Sequence, residues 1–179
     1  MHNKQVVTSI DEILDSWREI IGKDYLGYRN HVQRMVQITL KLGDLDGGQM
    51  DKVVIAACFH DIGIWIENTV DYIEPSIPPA MEYLQAKGKH DWQDEVRLLI
   101  SEHHKIRPFQ DPRYPLVELF RKGDLVDFTL GAVRFGLDKE FLKELKTQFP
   151  NAGFHWGLAK KASSWFLKHP TNPAPMMKW

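Results

Sequence analysis

No segment of the chain alternates apolar and polar residues at the period of two that a half-buried strand requires, whereas apolar residues recur at threes and fours along most of its length. That pattern predicts an all-α fold: a compact, single-domain helical bundle of about seven to eight helices. Ile10, Ile13, Leu14, Trp17, Ile20 and Ile21 mark a first helix, with Ser9 and Glu12 in the spacing of a capping box and Gly22 at its end. From Asp24 to Leu42 the residues Tyr28, Val32, Met35, Val36, Thr39 and Leu40 predict a second helix, closed by Gly43. The stretch from Asp51 to about Asp61 is apolar nearly all round, which predicts a central helix. Further helices are expected from Pro75 to Gly88, from Trp92 to His104, after the Pro108, Pro112 and Pro115 loop, over Asp138 to Phe149, and from about Gly157 to Leu167.

With 179 residues, 43% hydrophobic and 26% charged, the chain is long enough to bury one sizeable core without disulfides or a structural metal. One helical domain is expected over residues 1–168, followed by a Pro-rich extended tail over 169–179. That tail, with its two methionines and terminal Trp179, packs over the body or against a partner, which leaves a homodimer open. A formal net charge of −1 gives no general attraction for nucleic acid or an anionic membrane. No apolar run approaches the roughly 20 residues of a membrane span, and the polar start Met1 to Gln5 leads into no signal-type stretch, so a cytoplasmic protein is expected. The single cysteine, Cys58, lies in the run Val53 to Phe59 and reads as a small buried hydrophobe rather than a nucleophile.

The chemistry concentrates at the end of that central helix, in His60-Asp61-Ile62-Gly63. A buried, ionised Asp61 costs several kcal/mol, to order of magnitude about 3–5, unless it is paired or bound to a cation. At the last turn of a helix, two adjacent side chains can converge on an ion just beyond the end. The second His-Asp pair, His90-Asp91, precedes Trp92-Gln93-Asp94-Glu95, where Asp91 is placed as an N-cap and carries no such implication.

His31, then His60-Asp61, then Asp124 in Phe120-Arg121-Lys122-Gly123-Asp124-Leu125-Val126-Asp127 form an ordered set on successive helices. Asp127 lies one turn after Asp124 on the same face and can take its place. The order resembles the H...HD...D signature of the HD superfamily of metal-dependent phosphohydrolases, over about residues 25–130. The resemblance implies one divalent metal ion held by His31, His60, Asp61 and Asp124. A nitrogen and oxygen site without thiolate suits Mn, Fe, Co, Ni, Zn or Mg rather than a soft metal. Such an ion polarises a phosphoryl oxygen and lowers the pKa of water from about 15.7 toward roughly 7.

Branches of the superfamily with two ions use a histidine pair, matched here by His103-His104, and another histidine before it. The nearest counterpart of that other histidine is Ser76, a poor ligand, so a second metal is not expected. Asp61, His104 and Glu67 are then the candidates for proton handling. His103, Lys105, Arg107, Arg34 and Ser76 are the candidates for contact with a small phosphorylated substrate, which the resemblance extends to a nucleotide. Arg29, Arg121 and Lys122 also stand beside the ligand positions, and Trp65, Tyr72 and Phe109 are apolar candidates for the rim. The chain lacks the Gly-Tyr-Pro motif of cyclic-dinucleotide phosphodiesterases. Zinc-dependent hydratases of small nitriles, di-iron oxygenases and non-catalytic metal- and nucleotide-binding sensors share the superfamily's scaffold and stand as alternatives.

Overall fold

The structure, a computed structural model, describes residues 2–172 and 174–177. Among these residues it is all-helical, with eight helices of ten or more residues and two short ones. In order they are α1 (His2–Asp15), α2 (Arg18–Ile21), α3 (Tyr25–Leu42), α4 (Gly47–Phe59), α5 (Gly63–Ile66), α6 (Ile73–Ala86), α7 (Gln93–Glu102), α8 (Pro115–Phe128), α9 (Lys139–Gln148) and α10 (Phe154–Lys168). No described helix is long and apolar enough to cross a membrane.

Helix α4 is central because its sequence allows nothing else: Val53 through Phe59 are all buried, and α1, α3, α6, α7 and α8 pack around them. Its start lies four residues earlier than its apolar run predicts. Asp46 caps it by accepting from Gln49 N–H at 2.8 Å, while Gln49 Oε1 accepts from Asp46 N–H at 3.0 Å, a reciprocal box that satisfies two orphan donors. Cys58 is fully buried, as expected of a structural thiol, and burial pushes its pKa well up.

Helix α3 follows the predicted span, yet it is buried far beyond its apolar stripe. Asn30, His31, Gln33, Arg34 and Gln37 lie inside with Tyr28, Val32, Met35 and Val36. Neighbouring backbone supplies part of what such burial demands: Asn30 Nδ2 donates to the Pro150 carbonyl at 2.8 Å and Gln33 Nε2 to the Val7 carbonyl at 3.1 Å, while Gln33 Oε1 and Gln37 Nε2 have no partner among the described residues. Helix α8 crosses α3 closely because Gly123 has no side chain there; a β-carbon would collide with the Thr39 side chain.

Three local expectations are corrected. Helix α1 begins at His2, so Ser9 and Glu12 lie within it and form no cap; Val6 extends the buried stripe of Ile10, Ile13 and Leu14 backward. Asp91 does not cap α7. It sits in a 3-10 turn, His90–Trp92, and both His90 and Asp91 are exposed. The tail is not simply extended, because residues 169–172 turn back on α10, with Trp165 Nε1 donating to the Asn172 carbonyl at 2.9 Å. Met176 packs beside Ile64, Tyr72 and Ile73, while Pro173 and Trp179 lie outside the described residues.

Candidate metal centre

Four helices deliver their chemistry to one buried point. His31 comes from the middle of α3, His60 and Asp61 from the end of α4, His103 and His104 from the end of α7, and Asp124 from α8. His31 Nε2 lies 3.1 Å from His60 Nε2, 3.5 Å from Asp124 Oδ1 and 3.9 Å from Asp61 Oδ2. His60 Nε2 lies 3.3 Å from Asp61 Oδ2 and 3.9 Å from Asp124 Oδ1.

The outer nitrogens of the rings decide what the inner ones offer. His31 Nδ1 is 2.7 Å from Asp127 Oδ2, an obligate acceptor when ionised, so that nitrogen carries the proton. His60 Nδ1 is likewise 2.8 Å from the Ala57 carbonyl and donates to it. Both inner Nε2 atoms therefore direct lone pairs toward one another and toward two carboxylates. A positive charge between them, a metal ion or a proton on His60 Nε2, reconciles such a set. The same preference shows in titration. Burial alone would lower the pKa of His60, but the charges of Asp61 and Asp124 beside it raise the imidazole to about 9. Asp61 is pushed up by its burial and more than compensated by His60 and His103, which hold it well below the usual carboxylate range.

Asp127 does not take the place of Asp124. Its Oδ1 and Oδ2 accept from Arg34 Nε and Nη2 at 2.6 and 2.8 Å, and the pair is buried. Burial opposes its ionisation, yet the bonds from His31 and Arg34 hold its carboxyl far below the ordinary value. Asp124, three residues earlier, faces the cluster, and Asp127 orients His31 from behind. His31 is further fixed by the Phe154 ring stacked on it, centroids 4.4 Å apart.

A second ligand-like group adjoins the first. Asp61, His103 and His104 bring donor atoms within 4.8 Å of one another. His103 Nδ1 is held by the Ile100 carbonyl at 2.6 Å, so its Nε2 faces Asp61 Oδ1 at 3.5 Å, and neither of these two buried atoms has a hydrogen-bond partner. His31, His60, Asp61, His103, His104 and Asp124 can thus form a metal-binding site. Just past α7, burial and the neighbouring His103 lower the pKa of His104 to about 4. A neutral His104 shares a hydrogen bond with Tyr72 Oη, 2.6 Å from its Nε2, and turns Nδ1 toward Asp124 Oδ2 at 3.8 Å. Burial, followed by the charges of Asp61 and Asp124, keeps the Tyr72 phenol protonated.

A cavity of about 260 Å3 opens beside this cluster. His31, Asp61, His104 and Asp124 form its polar end, and Ile64, Tyr72, Phe128, Leu158 and Met176 are among its apolar walls. Of the residues expected to meet substrate or protons from outside the metal set, His104 and Tyr72 reach it, whereas Trp65 and Phe109 do not line it. Arg34 is fully buried elsewhere, with Nη1 on the Phe149 carbonyl at 2.8 Å and its remaining donors on Asp127, so its role is structural. Ser76 is buried with Oγ accepting from Gly63 N–H at 2.9 Å, which secures the turn after Asp61. Lys105 contacts Glu102 at 3.3 Å, while Glu67 and Arg107 are exposed away from the cavity walls. Arg29 is bidentate on Asp11 and Arg121 on Glu118, and Lys122 lies 3.6 Å from Glu118.

Sequence reasoning missed the contribution of α10. Leu158, Ala159, Lys161 and Ala162 all line the cavity, as does His155. The apolar stripe of this helix was legible, but nothing in its spacing tells which neighbour it covers. No protein-family model matches the chain, and no solved structure matches it. It is similar to the uncharacterized protein L432 of Acanthamoeba polyphaga mimivirus, 23% identical over 120 residues, 63% of this chain. The match covers 52% of that viral protein, so the chain spans about half the length of the curated relative it matches.

Proposed function

We propose that this protein is an HD-type, divalent-metal-dependent phosphohydrolase that cleaves a phosphate ester of a nucleotide or of a small phosphorylated metabolite. One observation carries the reading: the inner nitrogens of His31 and His60 present lone pairs to one another at 3.1 Å, between the carboxylates of Asp61 and Asp124. These four residues hold the ion in this reading. An ion there supplies Lewis acidity and makes a water nucleophilic near neutral pH.

The chain's own groups do the remaining work. Asp127, anchored by Arg34, keeps the His31 proton on Nδ1 and its lone pair turned inward. The Ala57 carbonyl does the same for His60. Asp61, whose Oδ1 has no hydrogen-bond partner, accepts the proton of the attacking water. With Tyr72 Oη donating to Nε2 in this reading, His104 keeps Nδ1–H to donate to the leaving oxygen.

The test is release of inorganic phosphate from a panel of phosphoesters by protein loaded in turn with Mn, Co, Ni, Zn and Mg. Metal-dependent release that falls by a factor of about 10³ or more in Asp61→Ala is the expected result, on the scale of losing a catalytic group. Stoichiometric metal without phosphate release would favour the hydratase reading, which the apolar walls of the cavity also suit, and a nitrile hydration assay then decides it.

A further inference from the structure

We propose that the substrate is a phosphomonoester of an apolar alcohol, with its phosphate at the His31, Asp61, His104 and Asp124 end of the cavity and its hydrocarbon body against α10 and the tail. The inference rests on the phosphohydrolase reading and narrows it, setting nucleotides aside. Hydrolysis of such an ester adds a water oxygen to phosphorus and breaks the bond from phosphorus to the alcohol oxygen. The alcohol leaves with a proton, and inorganic phosphate is the other product.

Three features of the walls carry the choice. Beyond the polar end they are apolar: Ile64, Val70, Phe128, Leu158, Ala162 and Met177 all contribute. A volume of about 260 Å3 exceeds the roughly 150 Å3 apolar cavity that accommodates benzene, so a ring or a short branched chain fits with its head on the cluster.

The polar groups on these walls are also already engaged. Tyr72 Oη is bonded to His104 at 2.6 Å. His155 has Nδ1 on the Asn151 amide at 2.5 Å and Nε2 on the Asp127 carbonyl at 3.0 Å. Ribose hydroxyls and base edges placed here would be buried without partners, which disfavours a nucleoside body.

Finally, cations are scarce. Lys161 is the one lysine or arginine among the described residues lining the cavity, and its Nζ sits 3.2 Å from Asn68 Oδ1. Arg29, Arg34 and Arg121, the arginines beside the ligand positions, are held by carboxylates of their own. A chain of two or three phosphates has no matching row of positive charge, whereas a single phosphate is met at the cluster itself.

Metal-loaded protein is assayed for phosphate release from straight-chain alkyl monophosphates of increasing length, phenyl phosphate, glycerol phosphate and nucleoside mono- and triphosphates. In parallel, binding of the corresponding alkylphosphonates, which cannot be cleaved, is followed by calorimetry. The expected result is a KM and a phosphonate Kd that fall about threefold to fourfold per added methylene until the cavity is full. Ala162→Phe, which fills the cavity from α10, should raise both by about tenfold for the longer chains while metal content stays the same.

Because the length series is read on the unaltered protein, a misfolded variant does not remove the test. Preference for a nucleotide or for glycerol phosphate over every alkyl or phenyl ester, or a Kd indifferent to chain length, would overturn the inference. Length-dependent phosphonate binding without any phosphate release would uphold the apolar pocket and contradict the phosphohydrolase reading instead.

Discussion

Asp127 shows how much a single residue can organise without touching the reacting centre. Its carboxylate binds His31 on one side and Arg34 on the other, with all three side chains buried. Asp127→Ala leaves the Arg34 charge uncompensated, and we expect a loss of about 3–5 kcal/mol in chemical denaturation. Because its folded pKa is depressed, Asp127 stabilises the fold above the ordinary carboxylate pKa near 4 and loses that contribution as pH falls below it. A stability profile between pH 2 and 6 should be flatter in Asp127→Asn than in the unaltered protein. The sequence left Asp124 and Asp127 as rivals on one helical face, since spacing of three places both on it. Arg34, which settles the matter in space, reads from sequence as any other basic residue beside a motif. Its burial comes from the turn at Phe149 and Pro150, more than a hundred residues away.

The helices that carry the site meet at positions where a side chain cannot be. Gly123 lets α8 approach α3 against Thr39, and Gly63 lets the Tyr72 to Ser76 segment close over the turn after Asp61. Gly123→Ala should destabilise the protein by about 1–3 kcal/mol through overpacking and weaken metal affinity with it, by pushing Asp124 off the cluster. Asp46→Ala is the matched control: it removes the cap of α4 at about 1 kcal/mol, far from the ligands, and should leave metal affinity unchanged. Helix spans were readable for α3 and α9, but not for the first helix, which was expected to run to Gly22 and breaks after Asp15. The start of α4 was not readable, because Asp46 and Gln49 lie outside the apolar run that drew attention to it. The polar residues of α3 gave no sign of their burial, which depends on α1, α8 and the segment before α10 covering it together.

At the scale of the whole molecule, the ligands come from the helical core while α10 and the tail complete the cavity beside them. Deleting residues 170–179 removes Met176 and Met177 from its wall, and the cost should appear in KM for apolar substrates rather than in metal content. The ordered histidines and aspartates made the centre visible in the sequence; the cavity was not, since its far wall comes from segments with no motif. The central claim, that His31, His60, Asp61 and Asp124 hold a divalent ion, is tested most directly by titrating metal-stripped protein with Mn, Co, Ni or Zn in a calorimeter. The unaltered chain and Asp124→Ala are compared, with circular dichroism to verify folding. Binding of at least one ion per chain is expected, weakened by a factor of about 100 or more in the folded variant, on the scale of losing one charged ligand. No binding by the unaltered protein, or undiminished binding by the variant, would contradict it.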